Sequence, residues 1–402
     1  MADEQETAAQ QSGVESHEGL TEQRVTWAEL FFDLVWVFGL TQVAATLAAS
    51  HGIGEAGQTL LLLAPLWWGW VGVTMLGNTA GTSLDTSRGR LMLFSLAGCG
   101  LAMTVAVPQA YGDSGLVFAI GYFLLRLLLW IAMRRQPLFG GLRVEPFAVG
   151  LLIAGPLFLA GGILDGPWRW GLWATGAAIE MLSPTLLGHR LDAVKFETAH
   201  LPERFGLFII IALGETVVAV GSQASAKPPG ALTLTMMALS FVIILGLWWT
   251  YFHFGASAAR YSLESDPVQA RIVREVFSYA HFSYVVAIIC VAVGLKKLLA
   301  YPLEHPHDLP RLLLAPGVGL YLLGFCYSRW RMFGAAAVPR FAGGLVCFAI
   351  VAVAPLLPSL AVAVLVLMVL VTVNSLEAWW VASGRPLVLL HVPHRLRRSP
   401  SS

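Results

Sequence analysis

Apolar runs of roughly 18 to 24 residues, each long enough to cross about 30 Å of hydrocarbon, alternate along this chain with short polar stretches. Twelve are read, over 27 to 50, 59 to 80, 91 to 111, 115 to 133, 147 to 165 and 168 to 187, then 205 to 223, 233 to 254, 276 to 295, 311 to 328, 339 to 357 and 359 to 382. The pattern predicts an all-α integral membrane fold with about twelve transmembrane helices, since a helix satisfies its own backbone groups inside lipid. The first run, VTWAELFFDLVWVFGLTQVAATL from Val25, nevertheless carries Glu29 and Asp33 one turn apart.

The runs form two sets of six that echo one another in order. ELFF at Glu29 and ERFG at Glu203 each open a helix, PLWWGWVGV around Trp67 and GLWWTYFHF around Trp248 follow, and GAAIEML and VNSLEAW set Glu180 and Glu377 in the sixth helix of each set. An even number of crossings gives both sets one orientation, so two parallel six-helix repeats are expected. They span 25–195 and 196–384, between a disordered acidic tail at 1–24 and a basic tail at 385–402.

Composition fixes the setting. A chain with 57% hydrophobic residues, 12% charged residues and a mean hydropathy of +0.71 cannot be arranged as a soluble core with a wetted shell. With the amino terminus inside, 19 of the 25 Lys and Arg residues fall on the cytoplasmic side and five opposite, so both termini are expected in the cytoplasm. A net charge of +1 without a basic patch argues against a nucleic-acid partner. Cys99, Cys290, Cys326 and Cys347 lie in apolar runs without paired spacing and read as small buried hydrophobes.

Four motifs stand out: WAELFFDLVWVFGLTQVA in the first helix, WWGWVGVTMLGN in the second, VPQAYG after the third and HLPERFGLFIIIALGETVVAVG from His200. They resemble the bacterial low-temperature-requirement A family of multipass membrane proteins, across nearly the whole chain apart from its tails. The resemblance implies a bacterial inner-membrane location but no reaction, because the family's name records a growth phenotype. Against the family's pattern His253 and Gln109 stand where acids are expected, which implies a specialised branch.

Glu29 and Asp33, at i and i+4, share one helix face roughly 6 Å apart; at such spacing a protonated acid beside a carboxylate is expected, unless the pair merely complements the helix dipole. Glu203 and Arg204 open the matching helix of the second set. Glu215 lies about 18 Å further along it, near the midplane, where an acid must be neutral or paired. Arg126 is its expected counter-charge, or else a lock between two helices. Glu180 and Glu377 read as architectural, and Asn78 and Asn374 as interhelical glue. His253 and His281 are proton shuttles or packing donors. Trp67, Trp68 and Trp70, with Trp248, Trp249 and Tyr251 in the matching stretch, lie too deep for an interfacial belt and suggest an aromatic-lined pocket. No metal-binding or cofactor motif is read.

These groups point first to a membrane-embedded enzyme acting on a lipophilic, isoprenoid-like substrate. Asp33, Glu215, Glu29 or Glu203 would supply the acid for carbocation cyclisation or isomerisation, Arg126, Arg204, Asn78, His253 and His281 would bind or balance charge, and the aromatic faces would stabilise positive charge. A proton-coupled secondary transporter and a non-catalytic envelope factor for growth in the cold are the alternatives. The partners expected are a lipid-like small molecule and the bilayer, with a second copy of the chain as a further candidate. Asp33 is expected to face the helix of Glu215 across a shared pocket.

Overall fold

A computed structural model describes residues 25–80, 84–136, 145–188, 191–192, 194–226, 228, 230–384 and 389–391, with the backbone alone at 254 and 389–391. The acidic tail at 1–24 and most of the basic tail lie outside these residues. Each of the twelve expected runs meets a helix: α1 (Trp27–Ala49), α2 (Ile53–Ala80), α3 (Ser87–Gln109), α4 (Gly115–Arg134), α5 (Pro146–Ile163), α6 (Pro167–Leu186), α7 (His200–Ala224), α8 (Ala231–Ser265), α9 (Gln269–Ala300), α10 (Leu314–Phe333), α11 (Val338–Leu356) and α12 (Ser359–Ala382). Among the described residues, ten are long and apolar enough to cross a membrane. The other two, α6 and α10, have 20 residues each but carry Arg169 and Glu180, and Arg329 and Arg331. The protein is therefore an all-helical multipass membrane protein.

Gly334, in the left-handed conformation at φ 74°, ends α10 and releases the chain into β1 (Ala335–Ala337). This strand pairs antiparallel with β2 (Leu389–His391), Ala336 opposite Leu390. Part of the stretch read as a basic tail thus folds back onto the helices.

Two helices form the centre. Protein shields 89% of the apolar window of α2 and 78% of that of α9, against 28% to 50% for the other spans. The burial of α2 explains why its tryptophans can sit mid-helix: Trp67 Nε1 donates to Ser278 O at 2.9 Å, so its N–H is satisfied away from water. The rings of Trp67 and Trp70 stack at 5.3 Å, and Phe205 and Phe208 of α7 close against both.

Side-chain amide clamps join helices that are distant in sequence. Asn78, at the end of α2, exchanges two 3.0 Å bonds with the Glu197 backbone just ahead of α7. Asn374 of α12 donates to Gly246 O and accepts from Thr250 Oγ1, both on α8. Three helices also widen locally to i→i+5 bonding, at Gly150–Ala154, Tyr251–Gly255 and Val273–Ala280, a distortion common at functional sites.

Just ahead of α5, Glu145 is buried and neither carboxylate oxygen has a hydrogen-bond partner among the described residues. Burial pushes its carboxyl up to about 7, against a smaller pull from Arg134. A folded pKa above the unfolded value of 4.5 means that the folded state holds the proton more tightly. The stabilisation is complete below the unfolded value and is lost as pH rises through the folded one. Glu145→Gln should therefore raise the melting temperature in detergent at pH 8 relative to wild type and leave it unchanged at pH 4. Equal shifts at both values would reject this account.

Candidate functional site

The cap of α1 builds the first charged cluster. Thr26 and Glu29 form a reciprocal capping box, Glu29 N donating to Thr26 Oγ1 at 3.2 Å and Thr26 N to Glu29 Oε2 at 3.0 Å, which fixes the glutamate against the helix start. One turn on, Asp33 points the same way. The start of α7 presents His200 and Arg204, also at i and i+4, and the two helices meet as a ladder. In one rung His200 Nε2 lies 3.3 Å from Glu29 Oε2; in the other Arg204 Nη2 donates to Asp33 Oδ1 at 2.9 Å.

Arg204 Nη1 also lies 3.5 Å from Glu29 Oε1, and Trp70 Nε1 donates to Asp33 Oδ1 at 2.8 Å. All four ladder residues are buried. Gly77 of α2 makes the close approach possible, because a Cβ there would run into the Glu29 carboxylate. Asp33 thus faces α7, but in direct contact with Arg204 and not across a pocket shared with Glu215.

The remaining expected acids lie elsewhere. Glu203 is exposed, and Glu215 is half-buried, about 16 Å along α7 from Arg204 at 1.5 Å per residue. Arg126 is not the counter-charge of Glu215: it forms a buried ion pair with Glu180, whose other oxygen accepts from Tyr122 Oη at 2.6 Å. The reason is topological, since Arg126 lies on α4, which packs against α5 and its neighbours in the first set of helices. Trp68 lines a cavity of about 90 Å³ beside this pair. Trp248 and Trp249 are 42% and 43% exposed, away from Trp67 and Trp70, with Trp249 stacked on the exposed His253 at 4.5 Å.

Tyr251 and His281 come together in a larger cavity of about 330 Å³, walled by α8, α9, α10, α11 and α12. Two of the widened segments flank it: Tyr251 opens one, and His281 directly follows the other. His281 Nδ1 lies 2.9 Å from Val276 O, and a carbonyl only accepts, so Nδ1 bears the proton. His281 Nε2 is then the acceptor for the Tyr251 hydroxyl, at 2.9 Å. Tyr284 and Phe325 stack at 4.4 Å along the wall. Glu377 also lines the cavity but is held by two parallel bonds, from Arg340 Nε at 2.8 Å and Nη2 at 2.7 Å. Phe205 connects the two sites, touching Trp70 at 4.9 Å on one side and His281 at 4.9 Å on the other.

Sequence reasoning passed over His200 and Arg340. His200 had a signal, because His200 and Arg204 repeat the i, i+4 spacing of Glu29 and Asp33 at a constant separation of 171 residues. Arg340, at the edge of the run read over 339 to 357, had no such signal.

A family model described as Bacterial low temperature requirement A protein (LtrA) matches residues 24–375. The chain belongs to this family. The ladder lies within the matched region, and so does the cavity apart from Glu377 and Val381 on its wall. A relative from Rhizobium meliloti (strain 1021), an uncharacterized protein, is 30% identical over 298 residues, 71% of this chain and 72% of the other. No solved structure matches the chain.

Proposed function

We propose that this LtrA-family protein is an enzyme of the bacterial inner membrane, with both termini cytoplasmic and two parallel six-helix repeats, that isomerises a lipophilic, isoprenoid-like substrate by proton transfer. The observation that carries the reading is the Tyr251–His281 pair inside an aromatic-walled cavity. Tyr251 Oη takes a proton from a substrate carbon as it passes its own to His281 Nε2. Returning one of the two protons then held by the pair to a different carbon moves a double bond with no oxidant, metal or net proton consumed.

The geometry gives less support to cyclisation started by a buried carboxylate. Asp33 and Glu29 are engaged by Arg204, Trp70 and His200, and Glu377 by Arg340, so none is a free acid beside an apolar space. Purified protein in detergent, incubated in D2O with a panel of polyprenyl alkenes and epoxides, should place deuterium on a substrate carbon, detected by mass spectrometry. Absence of exchange and of isomerised product across the panel counts against the enzyme.

One observation favours proton-coupled transport as the second reading. In the ladder a single guanidinium faces two carboxylates, so the cluster becomes neutral only by holding one further proton, on His200 or on an acid. A buried cluster between α1 and α7 that binds one proton is the element a coupled carrier needs. Solute-driven pH change in proteoliposomes, without any product, would replace the first reading by this one.

A further inference from the structure

The cavity of Tyr251 and His281 contains a cation without an ion-pair partner among the described residues. Arg329, near the end of α10, lines it, and its Nε is buried without a hydrogen-bond partner. Among the described residues it has no carboxylate at ion-pair distance, and its guanidinium lies 5.6 Å from the Phe333 ring. The adjacent Arg340 is already engaged by Glu377, and His281 carries no carboxylate partner among the described residues. The wall therefore carries two guanidiniums against one carboxylate. Position near a helix C-terminus is favourable for a cation, but a dipole provides no acceptor for a buried N–H, and such donors in folded proteins nearly always have one.

We propose that Arg329 is an anion-binding residue, and that the cavity takes a single-chain amphiphile ending in a carboxylate or phosphate, with its apolar chain against Tyr284, Phe325 and Met332. A guanidinium fork matches either headgroup with paired hydrogen bonds. The rest of the lining is mostly apolar or aromatic, which suits a hydrocarbon chain. A volume of about 330 Å³ lies at the small end of small-molecule sites, fitting one chain better than two. The proposal deepens the enzymatic reading of the same cavity by naming its substrate class, and it rests on that reading only for the use made of the bound molecule.

The test is equilibrium dialysis of the full chain in detergent against a radiolabelled farnesyl-length carboxylic acid, the matching alcohol and the matching methyl ester. The acid is expected to bind roughly tenfold or more tighter than the alcohol, as one charge-assisted hydrogen-bonded contact allows. Arg329→Gln should bring the acid down to the alcohol's affinity, and Arg329→Lys should keep part of the preference. Unchanged alcohol binding in both variants reports an intact cavity. Equal binding of acid and alcohol by wild type, or a preference that survives in Arg329→Gln, overturns the proposal.

Repeating the measurement in nanodiscs with and without phosphatidylglycerol separates a free amphiphile from a bilayer headgroup. Competition that vanishes in Arg329→Gln assigns the site to the lipid and overturns the single-chain ligand; no competition supports it. Acid binding without isotope exchange would defeat the catalytic reading alone, whereas isotope exchange without an acid preference would defeat this one alone.

Discussion

Arg204→Gln is expected to be the most damaging single substitution in the molecule. Arg204 is fully buried and contacts both Asp33 and Glu29, so its loss leaves two carboxylates in a packed interior with one imidazole and one indole N–H between them. Removing one partner of a buried ion pair typically costs about 3–5 kcal/mol, mostly the penalty of the abandoned charge. The expected result is a large fall in melting temperature in detergent, or failure to accumulate in the membrane. Asp33→Asn combined with Arg204→Gln should recover part of the loss, because the double variant removes one of the orphaned charges. A pair in direct contact should show such non-additivity, whereas independent residues should not. If Arg204→Gln melts like wild type, the ladder does not hold α1 to α7.

The positions of the helices were readable because each is a long apolar run, and the i, i+4 spacing of Glu29 and Asp33 already marked the start of α1. What the sequence could not reveal was the rotation of each helix. In a soluble protein a polar face marks the outside of a helix; in lipid the outside is as apolar as the core. The two Trp-Trp motifs show the consequence. Trp67 and Trp68 are buried on α2, whereas Trp248 and Trp249 look outward on α8, although the local sequences are nearly alike.

The same blindness to rotation and neighbours misassigned charges. Arg126 found Glu180, a residue on a helix in its own half, and Arg204 and Arg340, both on the expected cytoplasmic side, hold Asp33 and Glu377. Part of the positive charge on the expected cytoplasmic side therefore serves internal pairing. Tyr251 and His281, each weighed separately in the sequence, acquired a joint meaning only when the widened turns of α8 and α9 brought them within 2.9 Å.

That pair carries the second large effect. Tyr251→Phe keeps the ring, its packing against Phe325 and Tyr284 and the cavity's volume, and removes only the hydroxyl; His281→Gln removes the proton acceptor. If the two pass one proton between them, each substitution should lower the rate of substrate deuterium exchange by about 10²–10⁴-fold, the range for a positioned acid–base group. The double variant should be no slower than the worse single one, since residues acting as one unit are not additive. Stability should move little in Tyr251→Phe, about 1 kcal/mol for one lost neutral hydrogen bond. Amphiphile binding, set by Arg329, should persist in Tyr251→Phe, which separates proton transfer from binding. Exchange that survives in Tyr251→Phe, in a variant that still binds the amphiphile, would remove the hydroxyl from the proton path and leave His281 to contact the substrate directly.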